Sequence, residues 1–442
     1  MSERRLLLRG ASLFTSDDSL GELSSGDVLI VDGVIREVGR EIIAPDAEVL
    51  PLEGAIVLPG LVDTHRHMWQ TALRHVAADW TMSDYVAGMI QGIGPGFTPE
   101  DVRIAGLVGS LEALDAGTTT VMDWSHIVHT PAHAEAAIDA LHAAGVRAVY
   151  GYGLAALPAA DWFESDLRRL AGSEHFRRPD GLLSLALASW GPEFADVPTT
   201  VRDIELAREL GLRTSLHIGV GMMGAARAVT ELDARGLLGD DLEFIHATTA
   251  TDAELARIAQ TGGSVSVSPR VEMQMGHGYP ATGRMRDAGL RPSLSVDIVS
   301  GIPGTLFGEM RAAMEAERAR QNAAALSRHE WPGALRLTAH DMVRMATIDG
   351  ARALGLAEVT GSLTPGKQAD IIVLRADTTI APSADTLASQ IVAADAHAVE
   401  HVLVAGEFRK RGGRIVGHDL ASLRRDLDAS RLRLLQAAGA LV

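Results

Sequence analysis

Two histidines separated by a single arginine stand in "LVDTHRHMWQ", Leu61 to Gln70, directly after the apolar run "AIVLPGLVD". In an extended segment residues two apart project to the same side, so the imidazoles of His65 and His67 converge on one point beyond the strand. Imidazole is the commonest metal ligand, and neutral nitrogen donors suit zinc or iron(II). Taken alone, the pair fits loop or core histidines as well. Three further segments repeat the arrangement: His217 follows the apolar stretch of "RTSLHIG", His246 that of "LEFIHAT", and Asp297 closes "RPSLSVD". Four histidines and a carboxylate at the ends of separate strands make a metal site the leading expectation. A divalent ion there would bring the pKa of a bound water toward neutrality, and an adjacent carboxylate would complete its activation for attack on an electrophilic carbon.

Such residues must be carried by elements that converge. Residues 1 to about 58 read as short strands with glycine turns, as in "GDVLIVDGVIREVG", where Asp32-Gly33 supplies a tight turn. From Val57 to about Ala357 the pattern becomes apolar strand, loop and amphipathic helix, repeated at α/β spacing. The candidate strands end at Asp63, Met122, Gly151, Ala188, Leu216, Ile245, Ser268 and Val296. Eight of them predict a (β/α)8 TIM-like barrel, whose chemistry gathers at the carboxyl ends of the strands. The four histidines and Asp297 fall on the first, fifth, sixth and eighth. Strand character returns in "ADIIVL" and "VEHVLVAGEFRKRGGRIVG". The division expected is a small β-sandwich from residues 1–58 and 362–418, a barrel over 59–361, and an amphipathic C-terminal helix over 419–442.

Bulk properties narrow the partners. The chain has 442 residues, 47% hydrophobic and 22% charged, enough for a sizeable core. A net charge of −17 argues against nucleic acid and against an anionic membrane surface, leaving a small molecule as the expected partner. There is no cysteine, which removes thiolate metal sites, disulfides and a cysteine nucleophile. The apolar run near the start is only "LLL", too short for a secretory signal, and no span is long enough to cross a bilayer, so the cytoplasm is the expected location. The acidic surface and terminal helix are compatible with a homodimer or higher homo-oligomer.

The set "PGLVDTHRHMWQ", "GTTTVMD", "LHIG", "IHAT", "SPRVEMQMG" and "SVDIVSGIPGTLFGEMRAA" resembles the amidohydrolase superfamily, and within it the cytosine deaminase and chlorotriazine hydrolase branch. The tail "ATIDGARALGLAEVTGSLTPGKQADIIVL" is similar to the closing segment of the same family, so the resemblance covers nearly the whole chain. It implies a barrel with one divalent metal. By this resemblance His65, His67 and His217 are metal ligands, and Asp297 touches the metal and takes the proton of its water. His246 orients that water or the developing tetrahedral oxygen. Other branches hold two metals through a carboxylated lysine on the fourth strand; here "LLSLALASW" has none, and the only lysines are Lys367 and Lys410. A mononuclear site follows, with zinc favoured over iron, manganese or cobalt.

The resemblance breaks at one position. In the deaminase branch a glutamate three residues after the fifth-strand histidine protonates the substrate; here Val220 stands there. Two replacements are visible: Glu272, where the branch usually has asparagine, and His277 in "MGHGYP". Each also reads as an ordinary loop residue, and Asp297 alone could shuttle the proton. Trp69, Gln70, Asp123, His126, Tyr152, Trp190 and Glu193 sit at the strand ends as candidate substrate contacts, although tryptophans there commonly serve packing. His126, His129 and His133 have the spacing of one helical face, a weaker metal candidate.

The reading is a metal-dependent hydrolase that uses activated water on a non-peptide C–N bond of a small nitrogen-rich, possibly cyclic molecule, by deamination or by amide or urea hydrolysis; dehalogenation is a variant of the same displacement. A lyase or isomerase on the same fold, and a non-catalytic binding relative, are the alternatives.

Overall fold

A computed structural model describes residues 3–439 apart from 158, 179–180 and 376–385. The chain forms two compact units, one of residues 1–63, 112–120 and 305–418, the other of residues 64–111, 121–304 and 419–442.

The first unit carries a nine-stranded sheet drawn from both chain ends. Strand Arg5–Phe14 pairs antiparallel with Glu22–Val31, which turns back through Asp32 and Gly33, both with positive φ, into Val34–Gly39. Ile371–Arg375 lies antiparallel to Ala55–Pro59, joining the late strands to the early ones. One face is apolar, with Leu6, Leu8, Val28, Ile30, Val57, Ile371 and Val373 in a single core.

The barrel sheet has eight parallel strands in chain order: β1 (Leu61–Arg66), β2 (Thr118–Val128), β3 (Arg147–Leu154), β4 (Leu183–Ser189), β5 (Arg213–Ile218), β6 (Leu242–His246), β7 (Ser264–Val267) and β8 (Ser293–Leu294). Residues just past the two outer strands close the ring: Asp297 N donates to His65 O at 2.8 Å, and His67 N donates to Asp297 O at 2.9 Å. On β5 and β6, Leu216, Ile218, Leu242 and Phe244 pack outward against Ile204, Leu255 and Ile258 of the surrounding helices. Alternation therefore turns Ser215, His217 and Glu243 inward. Helices follow the strands with ordinary caps, such as the Thr251–Glu254 capping box on Asp252–Thr261.

Several strand boundaries differ from the sequence reading, β3 for example running past Gly151 to Leu154, and two of the differences bear on the site. "AIVLPGLVD" is not one strand: Ala55–Pro59 belongs to the terminal sheet, and β1 begins after Gly60. A Cβ at Gly60 would lie 2.0 Å from Thr119 Oγ1, so only glycine fits this crossing. Strand β2 runs on to Val128 with all of its residues buried. Asp123 and His126 are therefore inside the strand rather than on a loop after it, and the following helix begins only at Pro131, so His126, His129 and His133 share no helical face. The C-terminal helix, Leu420–Ala437, is present; Ser430 and Arg433 fasten it to Asp101.

Candidate metal centre and its chamber

The strand ends bring the predicted residues together. Among the described residues, the donor atoms of His65, His67 and His217 lie within 4.8 Å of one another, and so do those of His65, His246 and Asp297. Asp297 Oδ1 is 3.3 Å from Nε2 of both His65 and His67, and its Oδ2 is 3.7 Å from His246 Nε2. Two backbone distortions aim these groups: His246 has φ +71° and Asp297 φ +65°, values that cost a non-glycine residue about 1–3 kcal/mol and persist only where the surroundings impose them.

Three of the four rings are held from behind. His67 Nδ1 donates to Trp124 O at 2.7 Å, which leaves its Nε2 lone pair facing the centre. His246 Nδ1 lies 3.1 Å from Glu272 Oε1, and that oxygen also accepts from Ser268 N at 2.9 Å. His217 is walled by Trp124, with ring centroids 4.5 Å apart, and by Phe194 at 5.9 Å. Gly191, at φ +77°, makes the second contact possible, because a Cβ there would lie 2.6 Å from His217 O.

The electrostatics follow from burial and charge. Burial pushes His65 down to about 3 and holds His217 well below the ordinary histidine value, so both are neutral lone-pair donors at pH 7. Burial alone would raise Asp297, but the nitrogens of His65 and His67 keep it well below the usual carboxylate range. His246 goes the other way: burial disfavours its cation, yet Glu272 and Asp297 hold its pKa above the ordinary value. Both nitrogens of His65 are buried without a hydrogen-bond partner, an expense a native core does not leave unanswered. Three converging imidazoles and a carboxylate, one imidazole unpartnered, fit a divalent metal.

Beside this cluster lie two adjacent spaces that share His67, Met82, Tyr85, Phe194 and His217 in their linings. An inner one of about 40 Å³ is also lined by His246, Asp297, Val220, Val271, Met275 and His277. An outer cavity of about 550 Å³ is also lined by Trp124, His126 and Trp190.

The remaining sequence candidates divide accordingly. His126 and Trp190 line the outer cavity, and burial holds His126 well below its ordinary pKa. His277 lines the inner space with both nitrogens unpartnered and is pushed by burial to about 3. Trp69, Gln70, Asp123 and Glu272 line neither. Trp69 packs edge-on against Phe97 at 5.0 Å. Asp123 accepts from Met68 N at 3.3 Å, and burial pushes it up to about 7. Gln70 accepts from Ser300 Oγ at 2.6 Å and donates to Tyr85 Oη at 2.5 Å. Glu272 is fully buried behind His246, so the loop-carboxylate alternative is gone.

Two features escaped sequence reasoning. The segment Met82–Ile93, given no role in the sequence reading, supplies Met82, Tyr85, Val86 and Ile90 to the wall of the outer cavity. Glu193, noted only as a strand-end residue, binds the backbone of the turn that carries Val220, accepting from Gly219 N at 2.7 Å and Val220 N at 3.2 Å.

A parallel eight-stranded barrel with histidines and an aspartate gathered at its carboxyl rim defines the class of metal-dependent barrel hydrolases. The sequence model of the amidohydrolase family matches residues 56–409, and the chain belongs to that family. It is 28% identical over 385 residues to a 5'-deoxyadenosine deaminase of Methanosarcina mazei, covering 84% of each chain. Its fold matches a crystal structure of an adenosine deaminase from Xanthomonas campestris with bound zinc at a TM-score of 0.85, with 25% identity and 98% of both chains covered. It also matches the fold of an atrazine chlorohydrolase variant from Arthrobacter aurescens, complexed with zinc and atraton, at a TM-score of 0.83, with 23% identity and 96% of this chain and 100% of that one covered. The protein is a metal-dependent hydrolase of non-peptide carbon–nitrogen bonds. No described helix is long and apolar enough to cross a membrane.

Proposed function

We propose that one divalent metal, zinc, is held by His65, His67, His217 and Asp297, and that the substrate is a small nitrogen-rich cyclic molecule. The observation carrying this reading is the convergence of three strand-borne imidazoles on Asp297. When bound, a divalent metal supplies the Lewis acidity that makes water ionisable near neutral pH. Asp297, held ionised by its histidine neighbours, accepts the proton of the attacking water. His246, whose pKa Glu272 and Asp297 hold above the ordinary value, stabilises the negative charge that develops on the reacting carbon's substituent. His126, Trp190 and His277 contact substrate; Trp69 packs against His126 with ring centroids 5.4 Å apart, Gln70 bonds Tyr85, Asp123 bonds the Met68 backbone and Glu272 backs His246.

Two versions of the reaction compete. The deaminase relatives make exchange of an amino group for oxygen the first one to test. The apolar side chain of Val220, 3% exposed on the inner space, favours hydrolysis of an amide, urea or carbamate, whose nitrogen is protonated late. His277 is the nitrogen donor available to that leaving group.

The deciding experiment incubates the zinc-loaded protein with a heterocycle and amide library in ¹⁸O water, with Asp297→Asn as the blank. Products about 1 Da heavier in ordinary water, carrying one solvent oxygen, mean deamination; a total gain of about 18 Da means amide or urea cleavage. Turnover without solvent oxygen, or undiminished turnover by Asp297→Asn, overturns the reading.

A further inference from the structure

The outer cavity differs in kind from the metal cluster it opens onto. Among the described residues lining it there is no lysine, arginine, aspartate or glutamate; its polar groups are imidazoles, the Tyr85 hydroxyl, the indole N–H groups and the amide of Gln91. Indoles of Trp124 and Trp190, the ring of Phe194 and the side chains of Val86, Ile90 and Leu157 form its apolar surface. The indoles face edge to face with centroids 6.3 Å apart, and His126 meets Trp190 at 5.4 Å, so the aromatic groups form one packed face. Trp190 is fixed there by donating Nε1 to Leu154 O at 3.0 Å, which removes its own donor from the cavity. The inner and outer spaces share His67, Met82, Tyr85, Phe194 and His217, so a molecule with its reacting carbon at the cluster extends its remainder along this wall.

We infer that the outer cavity is a binding site for an uncharged hydrophobic arm of the substrate, aromatic or branched alkyl, and that it rejects substrates carrying a phosphate, carboxylate or ammonium at that end. The inference deepens the proposed reaction and rests on it for the placement of the reacting carbon. A charge set against this wall would leave water with no counter-charge and few hydrogen bonds in exchange, whereas an apolar arm gains from every contact. Volume supports a sizeable arm: about 550 Å³ exceeds what a single small ring fills.

Trp124 and Trp190 in the wall provide a binding signal that does not depend on turnover. Quenching of tryptophan fluorescence of the zinc-loaded enzyme is titrated with three probes of similar size: 4-isopropylbenzamide, which is neutral, 4-carboxybenzamide, an anion, and 4-(aminomethyl)benzamide, a cation. Chromatography of each mixture reports any hydrolysis. The neutral probe binds at least ~30-fold more tightly than either charged one. In Leu157→Arg, at a position 38% exposed and therefore tolerant, the anion gains about tenfold and the neutral probe weakens. Trp190→Ala weakens the neutral probe about tenfold with zinc content unchanged. Equal binding of the three probes, or no binding of the neutral one, overturns the inference. Tight binding of the neutral probe without hydrolysis upholds it while counting against amide hydrolysis. Hydrolysis of the charged probes as fast as the neutral one keeps the reaction and overturns the arm site.

Discussion

The metal cluster and the outer cavity meet at His67 and His217 yet are built in opposite ways. The cluster is polar and carried on strand ends, and two of its rings are tied from behind: His67 by Trp124 O and His246 by Glu272. The cavity wall is apolar and comes mainly from connecting segments, Met82–Ile93 and the turn holding Trp190 and Phe194. Strands fix donor atoms to fractions of an ångström, which activation of water needs; connecting segments can vary without disturbing that chemistry, which is where specificity is set.

The sharpest way to break this division is to damage the cluster alone. His217→Ala removes one of three converging imidazoles and leaves the indoles of Trp124 and Trp190 in the wall, so zinc retained after gel filtration, measured by plasma mass spectrometry, should fall to background and activity with it. Neutral-probe binding to the outer cavity should survive within about tenfold. Retention of stoichiometric zinc would show that His217, which also lines the outer cavity, is not needed to hold the metal.

A milder cut separates the ligands from what orients them. Glu272→Gln keeps a hydrogen-bonding group at His246 Nδ1 but removes the carboxyl group that helps raise the pKa of this imidazole. We expect kcat to fall about 10–100-fold with KM little changed. An effect confined to KM would make Glu272 a substrate-positioning group instead.

Val220 tests the border between the two regions. Replacing this nearly buried residue with glutamate puts a carboxylate among Val271, Met275 and Phe194. Val220→Glu is expected to cost about 2–4 kcal/mol of stability, read as a lower denaturation midpoint, without raising activity. A more active variant would mean that the site lacks an acid it could use.

The sequence made the polar region legible and left the apolar one obscure, for physical reasons. His65, His67, His217, His246 and Asp297 follow apolar runs, and a strand's period of two says where such residues point. Strand β2 defeated the same reasoning because it is buried on both faces through Val128, so nothing in its pattern marks Met122 as an interior position rather than an end. Gly60 hid a change of sheet because apolar residues flank it on both sides. Tyr85, Val86 and Phe194 resemble core residues, and only the tertiary arrangement reveals that they face a cavity. Glu272 is two-sided: its departure from asparagine was visible, but its partner, 26 positions earlier, was not.

The smallest effect probes how far the polar region reaches down the barrel. Glu243 lies inside, opposite Ser215 in the β5–β6 pairing, and burial pushes its pKa from the ordinary 4.5 up to about 8. Between these values the unfolded chain has released the proton and the folded chain keeps it, so the native state binds more protons and stability falls as pH rises. The contribution is fully present below about pH 4.5 and is lost as pH passes about 8. Glu243→Gln retains the shape without the ionisation, and a plot of thermal midpoint against pH from 5 to 8.5 should be flatter for the variant than for the parent protein. Parallel curves would mean that Glu243 is already ionised in the fold, and the polar character of the barrel interior would then include a buried charge beneath the metal cluster.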